Sequence, residues 1–155
     1  MNPTHPIHRN SAEFAFLRLG ATRLLLPRAD VRILELAFDV DVRPKSPARG
    51  VGWVTVPGHP PCPVFCCTDG LEWLSVMRTD LPVCAVLTDH HGQDFGVLCS
   101  EMVMADRNRL LFSPVPLAMR CPSQPFEQLA TDGHEVFCVT SAQHLSLALM
   151  PKGML

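Results

Sequence analysis

Tyrosine is absent from this 155-residue sequence, and aromatic residues make up only 6% of it. Proteins that bind single-stranded nucleic acid interleave aromatic side chains with clustered basic ones. Here the 13 lysines and arginines are dispersed among 15 acidic residues, for a net charge of −2. No basic surface for DNA, RNA or an anionic membrane is therefore indicated, and we expect nucleic acid not to be a partner.

Long apolar runs are also missing, since none approaches the roughly 20 residues that span a bilayer. The polar residues 1–9 lack the apolar core of a secretory signal. Seven cysteines are present, so at least one thiol is unpaired within a monomer. We expect a cytoplasmic protein without direct membrane insertion, whose cysteines are buried thiols rather than disulfides.

The motifs of common enzymes are missing as well. The sequence has no G-x-S-x-G elbow, no P-loop, no G-x-G-x-x-G fingerprint and no paired carboxylates. No C-x2-C metal-binding pair occurs either. The prediction is a protein that is not an enzyme, with no catalytic residues, no cofactor and no metal.

What the sequence does contain is 47% hydrophobic residues, 15 prolines and only 9 glycines. The apolar residues form about eight short runs, with two or three short helices at the connections, and few gaps are long enough for parallel crossovers. We predict a mostly β protein of antiparallel sheets curled into small barrels. Residues 1–12 are interpreted as a disordered lead-in, and residues 13–150 as one domain with two subdomains.

Two hairpins are predicted, each from a pair of apolar runs around a turn. The first joins 14–19 to 23–26 around Gly20. The second joins 83–87 to 95–99 around His90 and His91, which we expect to be exposed. This second hairpin places Cys84 and Cys99 within one residue of register, so the sequence leaves open whether they are bonded.

Three short helices are predicted from capping residues. Asp30 is interpreted as the N-cap of a helix that ends near Leu36. Asp69, three residues before Glu72, resembles the start of a capping box. Ser141 is interpreted as the N-cap of a final, leucine-bearing helix that Pro151 ends.

The segments Gly52–Gly58 (GWVTVPG) and Pro63–Cys67 (PVFCC), followed by Leu71 and Leu74, resemble the central signature of the CheW family of bacterial chemotaxis adaptors. The likeness extends over roughly residues 14–149. It implies two intertwined, five-stranded, SH3-like antiparallel barrels with short connecting helices. It also implies a non-catalytic adaptor that bridges a receptor's cytoplasmic tip and the regulatory domain of a chemosensory histidine kinase by protein–protein contacts.

The resemblance places the partner-binding residues on one strand and the turn after it: Trp53, Val54, Thr55, Val56, Pro57, Gly58 and His59. Gly58 fits a turn that needs positive φ. Pro57 stands where the family has an arginine, and Cys66 stands where it has an aspartate. Either the partner surface has been rebuilt or the standard receptor–kinase bridge has been lost; which kinase or receptor is the partner, and the oligomeric state, stay open.

Two alternatives come from the cysteines and histidines. One is a small β-barrel enzyme or ligand-binding protein with a Cys–His site, which requires a cysteine and a histidine within hydrogen-bond reach. The other is a metal-binding module around His59, Cys62 and Cys66. Against the metal, Cys66 and Cys67 are adjacent on a predicted strand and should point to opposite faces.

Overall fold

The computed structural model describes residues 13–42, 50–121, 124–126 and 128–149. Within these ranges the chain is mostly β, as predicted, with twelve strands and one α-helix. The elements, in chain order, are β1 (Phe14–Leu19), β2 (Thr22–Pro27), β3 (Val31–Leu36), β4 (Gly52–Val54), β5 (Cys62–Cys67), β6 (Trp73–Leu74), β7 (Val83–Thr88), β8 (Asp94–Cys99), β9 (Glu101–Ala105), β10 (Leu111–Pro114), β11 (Gln128–Thr131), β12 (Val136–Val139) and α1 (Ala142–Leu149). The predicted lead-in at 1–12 and the helix stop at Pro151 lie outside the described residues.

The strands form two curled sheets. The first has the order β10-β11-β12-β2-β1-β9, and the second has the order β3-β7-β8-β5-β4, with β6 paired to β5. The sheets are intertwined because the segment from β3 to β8 builds the second sheet and interrupts the chain of the first. Two barrels of this kind were predicted, although each sheet has six strands rather than five.

Two strand pairings differ from the antiparallel prediction. Strands β2 and β12 run parallel, and so do β5 and β8. Each of these pairs joins segments that are distant along the chain. Hairpin signals between neighbouring apolar runs carry no information about such pairings, because a parallel pair needs a long crossover connection.

The central strands bury both of their faces. Along β5, Val64 and Cys66 face a cluster inside the second barrel, whereas Phe65 and Cys67 face a cluster that both sheets share. The predicted opposite orientation of Cys66 and Cys67 is thereby confirmed. The shared cluster takes its largest members from both sheets and from α1, namely Leu17, Leu19, Leu24, Leu26, Phe65, Leu87, Phe95, Leu145 and Leu149.

Each barrel also has an interior cluster of its own. The first-barrel cluster consists of Phe16, Leu25, Leu110, Ala130 and Phe137. The second-barrel cluster includes Val54, Val56, Cys62, Val64, Cys66, Cys84, Val86 and Leu98. Each large apolar side chain that folding buries contributes about 1.5–3 kcal/mol, so the three clusters provide most of the stabilisation.

The predicted helix from Asp30 to Leu36 is wrong, because residues 31–36 form strand β3. Val31 packs in the shared cluster and Ile33 packs against the second-barrel cluster, because the register of pairing shifts between them. Arg32 and Leu34 are exposed, and β7 supplies the backbone hydrogen bonds. Asp30 nonetheless caps a helix. Its carboxylate accepts a hydrogen bond of 2.9 Å from the backbone N–H of Ala142, at the start of α1.

The predicted helix after Asp69 is also wrong. The hydroxyl of Thr68 accepts hydrogen bonds from the backbone N–H groups of Gly70 and Glu72, which forms a turn. Leu71 has φ +66°, a left-handed conformation that a helix does not contain. The side chain of Asp69 instead accepts a hydrogen bond from the N–H of Ala21, in the β1–β2 turn.

The final helix is confirmed. The Ser141 hydroxyl accepts a hydrogen bond from the N–H of His144, as expected of an N-cap. The helix is joined to the β7–β8 hairpin by the hydroxyl of Ser146, which donates to the buried carboxylate of Asp89 at 2.9 Å. No helix in the described ranges is long and apolar enough to cross a membrane.

We predict that Gly20→Ala destabilises the fold more than Gly92→Ala. Both glycines have positive φ, +67° and +78°, so both substitutions strain the backbone. Only at Gly20 would a Cβ atom also collide with a side chain, because it would lie 2.2 Å from Oδ1 of Asp69. Gly20→Ala is expected to lower the free energy of unfolding by about 1–2 kcal/mol more than Gly92→Ala, measured by urea denaturation; equal losses would contradict the contact.

The carboxylate of Asp89 makes stability depend on pH. Burial opposes its ionisation, but hydrogen bonds from the Gln93 N–H, the Ser146 hydroxyl and the His91 N–H lower the pKa of Asp89 below its usual value. The ionised group therefore stabilises the fold above the unfolded pKa of about 3.9, and this contribution is lost as the pH falls through the lower, folded value.

The Asp89→Asn variant is expected to lose less stability than the unmodified protein as the pH falls from neutral to acidic. At neutral pH, its free energy of unfolding is expected to be lower by about 1–2 kcal/mol. Urea denaturation at a series of pH values measures both effects. Glu72→Gln, which removes an exposed carboxylate, is the control. An Asp89→Asn variant with an unchanged pH profile would contradict the role of this carboxylate.

Candidate functional site

The residues predicted to bind a partner lie on β4 and on the turn that follows it. Strand β4 is at the edge of the second sheet, where it pairs with β5. On its other side, Trp53 and Asp41 exchange two backbone hydrogen bonds of 2.7 and 2.9 Å. This bridge brings the segment after β3 against β4, so the second barrel closes at this seam.

The seven predicted residues do not share one surface. Val54 and Val56 are 2% and 6% exposed and belong to the second-barrel cluster. Trp53 is half-buried, and the side chains of Thr55, Pro57 and His59 are exposed. Val54 and Val56 are therefore part of the core, and the remaining residues provide the accessible surface.

The turn after β4 has a defined conformation. The N–H of His59 donates to the carbonyl oxygen of Val56 at 2.9 Å, and Gly58 has φ +82°, as predicted. The His59 ring lies 3.4 Å, Nε2 to Nη1, from the guanidinium of Arg32 on β3. Arg32 also donates to Oδ1 of Asp94 at 3.0 Å, so the turn is connected to both β3 and β8.

A groove of about 900 Å³ opens at the seam. We call it the seam groove; it is lined by Glu35, Asp39, Asp41, Trp53, Val54, Thr55, Pro57 and Pro61. Its three carboxylates were not predicted as site residues, because Glu35 lies in the segment interpreted as a helix and Asp39 and Asp41 belong to no recognised motif. Only the closure of the barrel brings them beside Trp53.

A second cleft, of about 1170 Å³, lies beside the shared cluster. Its walls include the helix α1, Leu71 and Trp73 after β5, and Phe126 before β11. Leu71 and Trp73 pack against the shared cluster, so part of each side chain belongs to the core. The cleft therefore lies between the two sheets, because its lining residues come from both of them and from α1.

The cysteines are distributed over the core rather than gathered at a site. Five of them are buried (Cys62, Cys66, Cys67, Cys84 and Cys99), Cys138 is half-buried and Cys121 is exposed. All seven are free thiols. Cys84 and Cys99 are offset by one position of register, as predicted, and so face different clusters, which places their thiols on opposite faces of the sheet.

The buried thiols have raised pKa values, whereas a nucleophilic cysteine needs a lowered one. Burial raises the pKa of Cys62 to about 11, and burial together with the neighbouring Cys66 raises the pKa of Cys67 to about 12. Burial also raises the pKa of Cys99 to about 12. Reactive cysteines are thiolates with a lowered pKa, so these positions do not provide one.

The metal alternative around His59, Cys62 and Cys66 is not assembled by the described residues. His59 lies on the exposed turn beside Arg32, whereas Cys62 and Cys66 lie in the second-barrel cluster. Across the ranges that the structure describes, no group of three or more histidine, cysteine or acidic side chains is placed to hold a metal ion. His90 and His91 are exposed on the β7–β8 turn, as predicted.

We predict that one thiol of the native protein reacts rapidly with a maleimide or aromatic disulfide reagent at neutral pH. Cys121 is exposed, whereas burial keeps the five core thiols protonated and inaccessible. The expected result is one fast equivalent, which Cys121→Ser removes, and seven equivalents after denaturation. A second fast-reacting thiol would contradict this assignment and would favour the Cys–His alternative.

The comparisons with known proteins give a match at the level of structure. No protein-family profile matches the sequence, and no curated protein sequence matches it. Among solved structures, the chain is similar to the scaffolding protein TtCheW from Thermoanaerobacter tengcongensis, with a TM-score of 0.64, 17% sequence identity and coverage of 93% of each chain. This likeness confirms the resemblance to CheW and shows that the chain has the CheW fold.

Proposed function

We propose that this protein is a non-catalytic adaptor of a bacterial chemosensory or motility signalling assembly. In this role it bridges a receptor's cytoplasmic tip and the regulatory domain of a histidine kinase in the cytoplasm. The observation that carries the proposal is the similarity to a scaffolding protein over 93% of both chains, which includes both barrels. The proposed domain extends from residue 13 to residue 150.

The distribution of polar and apolar groups supports an adaptor. The described residues form an open groove at the seam of the second barrel and another beside the shared cluster. Concave surfaces with exposed aromatic or aliphatic side chains are typical of protein–protein contact sites. The buried thiols with raised pKa values give no support to the alternative of a Cys–His enzyme or ligand-binding protein.

We assign partner binding to the exposed part of the predicted segment. Thr55, Pro57, Gly58 and His59 are accessible, and Trp53 lines the seam groove. Val54 and Val56 act through the fold, because they hold β4 and its turn against the second-barrel cluster. With Pro57 in the family's arginine position, the partner contact lacks a charged fork at that point.

The proposal is tested by measuring binding of the purified protein to the chemosensory kinase regulatory domain and to the receptor tip of the source organism. Binding to at least one of them is expected. The double variant Thr55→Glu/Pro57→Glu, which alters exposed residues, is expected to weaken that binding on the order of tenfold.

The matched control is Ser75→Glu/Thr79→Glu, which adds the same charge at two exposed positions away from the seam. It should bind as the unmodified protein does. Circular dichroism of each variant establishes that it is folded. Absence of binding to both the kinase domain and the receptor would refute the adaptor proposal, and equal binding by both double variants would refute the assigned surface.

A further inference from the structure

The turn after β4 is attached to the neighbouring strand β3 by the ring of His59. Nε2 of this ring lies 3.4 Å from Nη1 of Arg32. A guanidinium has N–H donors and no acceptor, so Arg32 can only donate in this contact. Nε2 of His59 must therefore accept, which places the ring proton on Nδ1 and requires a neutral imidazole.

Arg32 is itself held in a fixed position on the second sheet. Its Nε donates to Oδ1 of Asp94 at 3.0 Å and to the hydroxyl of Thr88 at 3.2 Å. The Thr88 hydroxyl donates to the same carboxylate oxygen at 2.6 Å, and the side chain of Asp94 is only 10% exposed. The direction in which the guanidinium points is therefore set by β7 and β8 and not by the turn.

The turn itself is stiff, so one contact is enough to position it. Pro57, Pro60 and Pro61 each have φ fixed at about −65°. The hydrogen bond from the His59 N–H to the Val56 carbonyl oxygen closes the turn. Between Pro57 and Pro61, His59 has the only polar side chain. The contact with Arg32 thus determines how this stiff segment lies against β3.

The charged groups around His59 come from three other elements. Arg32 on β3 opposes a positive charge on the ring, and Asp94 on β8 favours one. The seam groove, which begins beside the turn, contributes the carboxylates of Glu35, Asp39 and Asp41, which favour one as well. On β5, burial raises the pKa of Cys62 to about 11, so its thiol is neutral. Arg32 is thus the one group of this set that contact with an imidazolium would place at an unfavourable distance.

We propose that His59 is a proton-operated latch for the turn after β4. The neutral ring accepts from Arg32 and holds the turn against β3. Protonation turns Nε2 from an acceptor into a donor and sets two positive charges 3.4 Å apart, so the contact breaks and the turn is released. The charge of histidine changes between about pH 5 and 8, within the range that a cell experiences.

The latch controls part of the surface that we assign to partner binding, and that consequence rests on the proposed function. The latch itself does not rest on it. Its test uses the isolated protein without kinase or receptor, so failure of the latch and failure of the adaptor proposal are distinguishable.

The acceptor role of Nε2 is tested by NMR on the full chain with nitrogen-15-labelled histidine. At about pH 8, where imidazole is neutral, the correlations between ring protons and ring nitrogens are expected to show His59 with its proton on Nδ1 and none on Nε2. A proton on Nε2 would exclude the contact with Arg32 and would overturn the proposal.

Release of the turn is tested by the backbone order parameters of Gly58 and His59. In the unmodified protein they are expected to fall from about 0.85 at about pH 7.5 to below about 0.6 at about pH 5. His59→Phe removes the acceptor and Arg32→Met removes the donor, so both variants should show the lower value at both pH values. Because His59 is exposed, His59→Phe is expected to fold even if Arg32→Met does not.

The matched control is His134→Gln, which removes an exposed histidine from the β11–β12 turn. It should keep the full dependence on pH. Order parameters that do not change with pH in the unmodified protein would overturn the latch. A change that persists in His59→Phe, or that disappears in His134→Gln, would assign the pH response to another group and would overturn it equally.

Discussion

The fold depends on one cluster of apolar side chains that both sheets share. Strands such as β1, β5, β7 and β8 contribute alternate residues to it and give the residues between them to the interior of their own barrel. Neither barrel can therefore separate from the other without exposing a row of leucines and phenylalanines to water. The helix α1 covers the same cluster, and Asp30 and Asp89, from two distant segments, hold it there.

The binding surfaces follow from the way in which each barrel closes. Where β3 and β4 form the edges of the second sheet, the Asp41–Trp53 bridge brings acidic side chains beside an indole and two prolines. The edge of β4 is covered only by the short segment that bridges to it at Asp41, and not by another long strand. Such an edge leaves space for a partner. The buried, protonated thiols and the open grooves of the described residues are compatible with the proposed adaptor role.

Much of the fold was predictable from residues that are close in sequence. The β1–β2 and β7–β8 hairpins, the Ser141 cap and the positive φ of Gly58 all depend on local chemistry, and each is observed. The errors at Asp30 and Asp69 share a cause. Both carboxylates do accept hydrogen bonds from backbone N–H groups, but of Ala142 and Ala21, which are distant in sequence. A capping signal gives the chemistry of a side chain and not its partner.

The amino-acid sequence alone determined the class of the protein: mostly β, two barrels, free thiols, and short motifs that resemble CheW. The mostly β class and the thiols follow from composition, from alternation along each strand and from turn chemistry, which are all local, whereas the pair of barrels was implied by the resemblance. The tertiary structure decided which of the predicted binding residues are accessible, because burial of Val54 and Val56 depends on strands contributed by other segments. It also decided that Glu35, Asp39 and Trp53 share one groove. Their proximity arises only when the barrel closes, and no spacing along the chain encodes it.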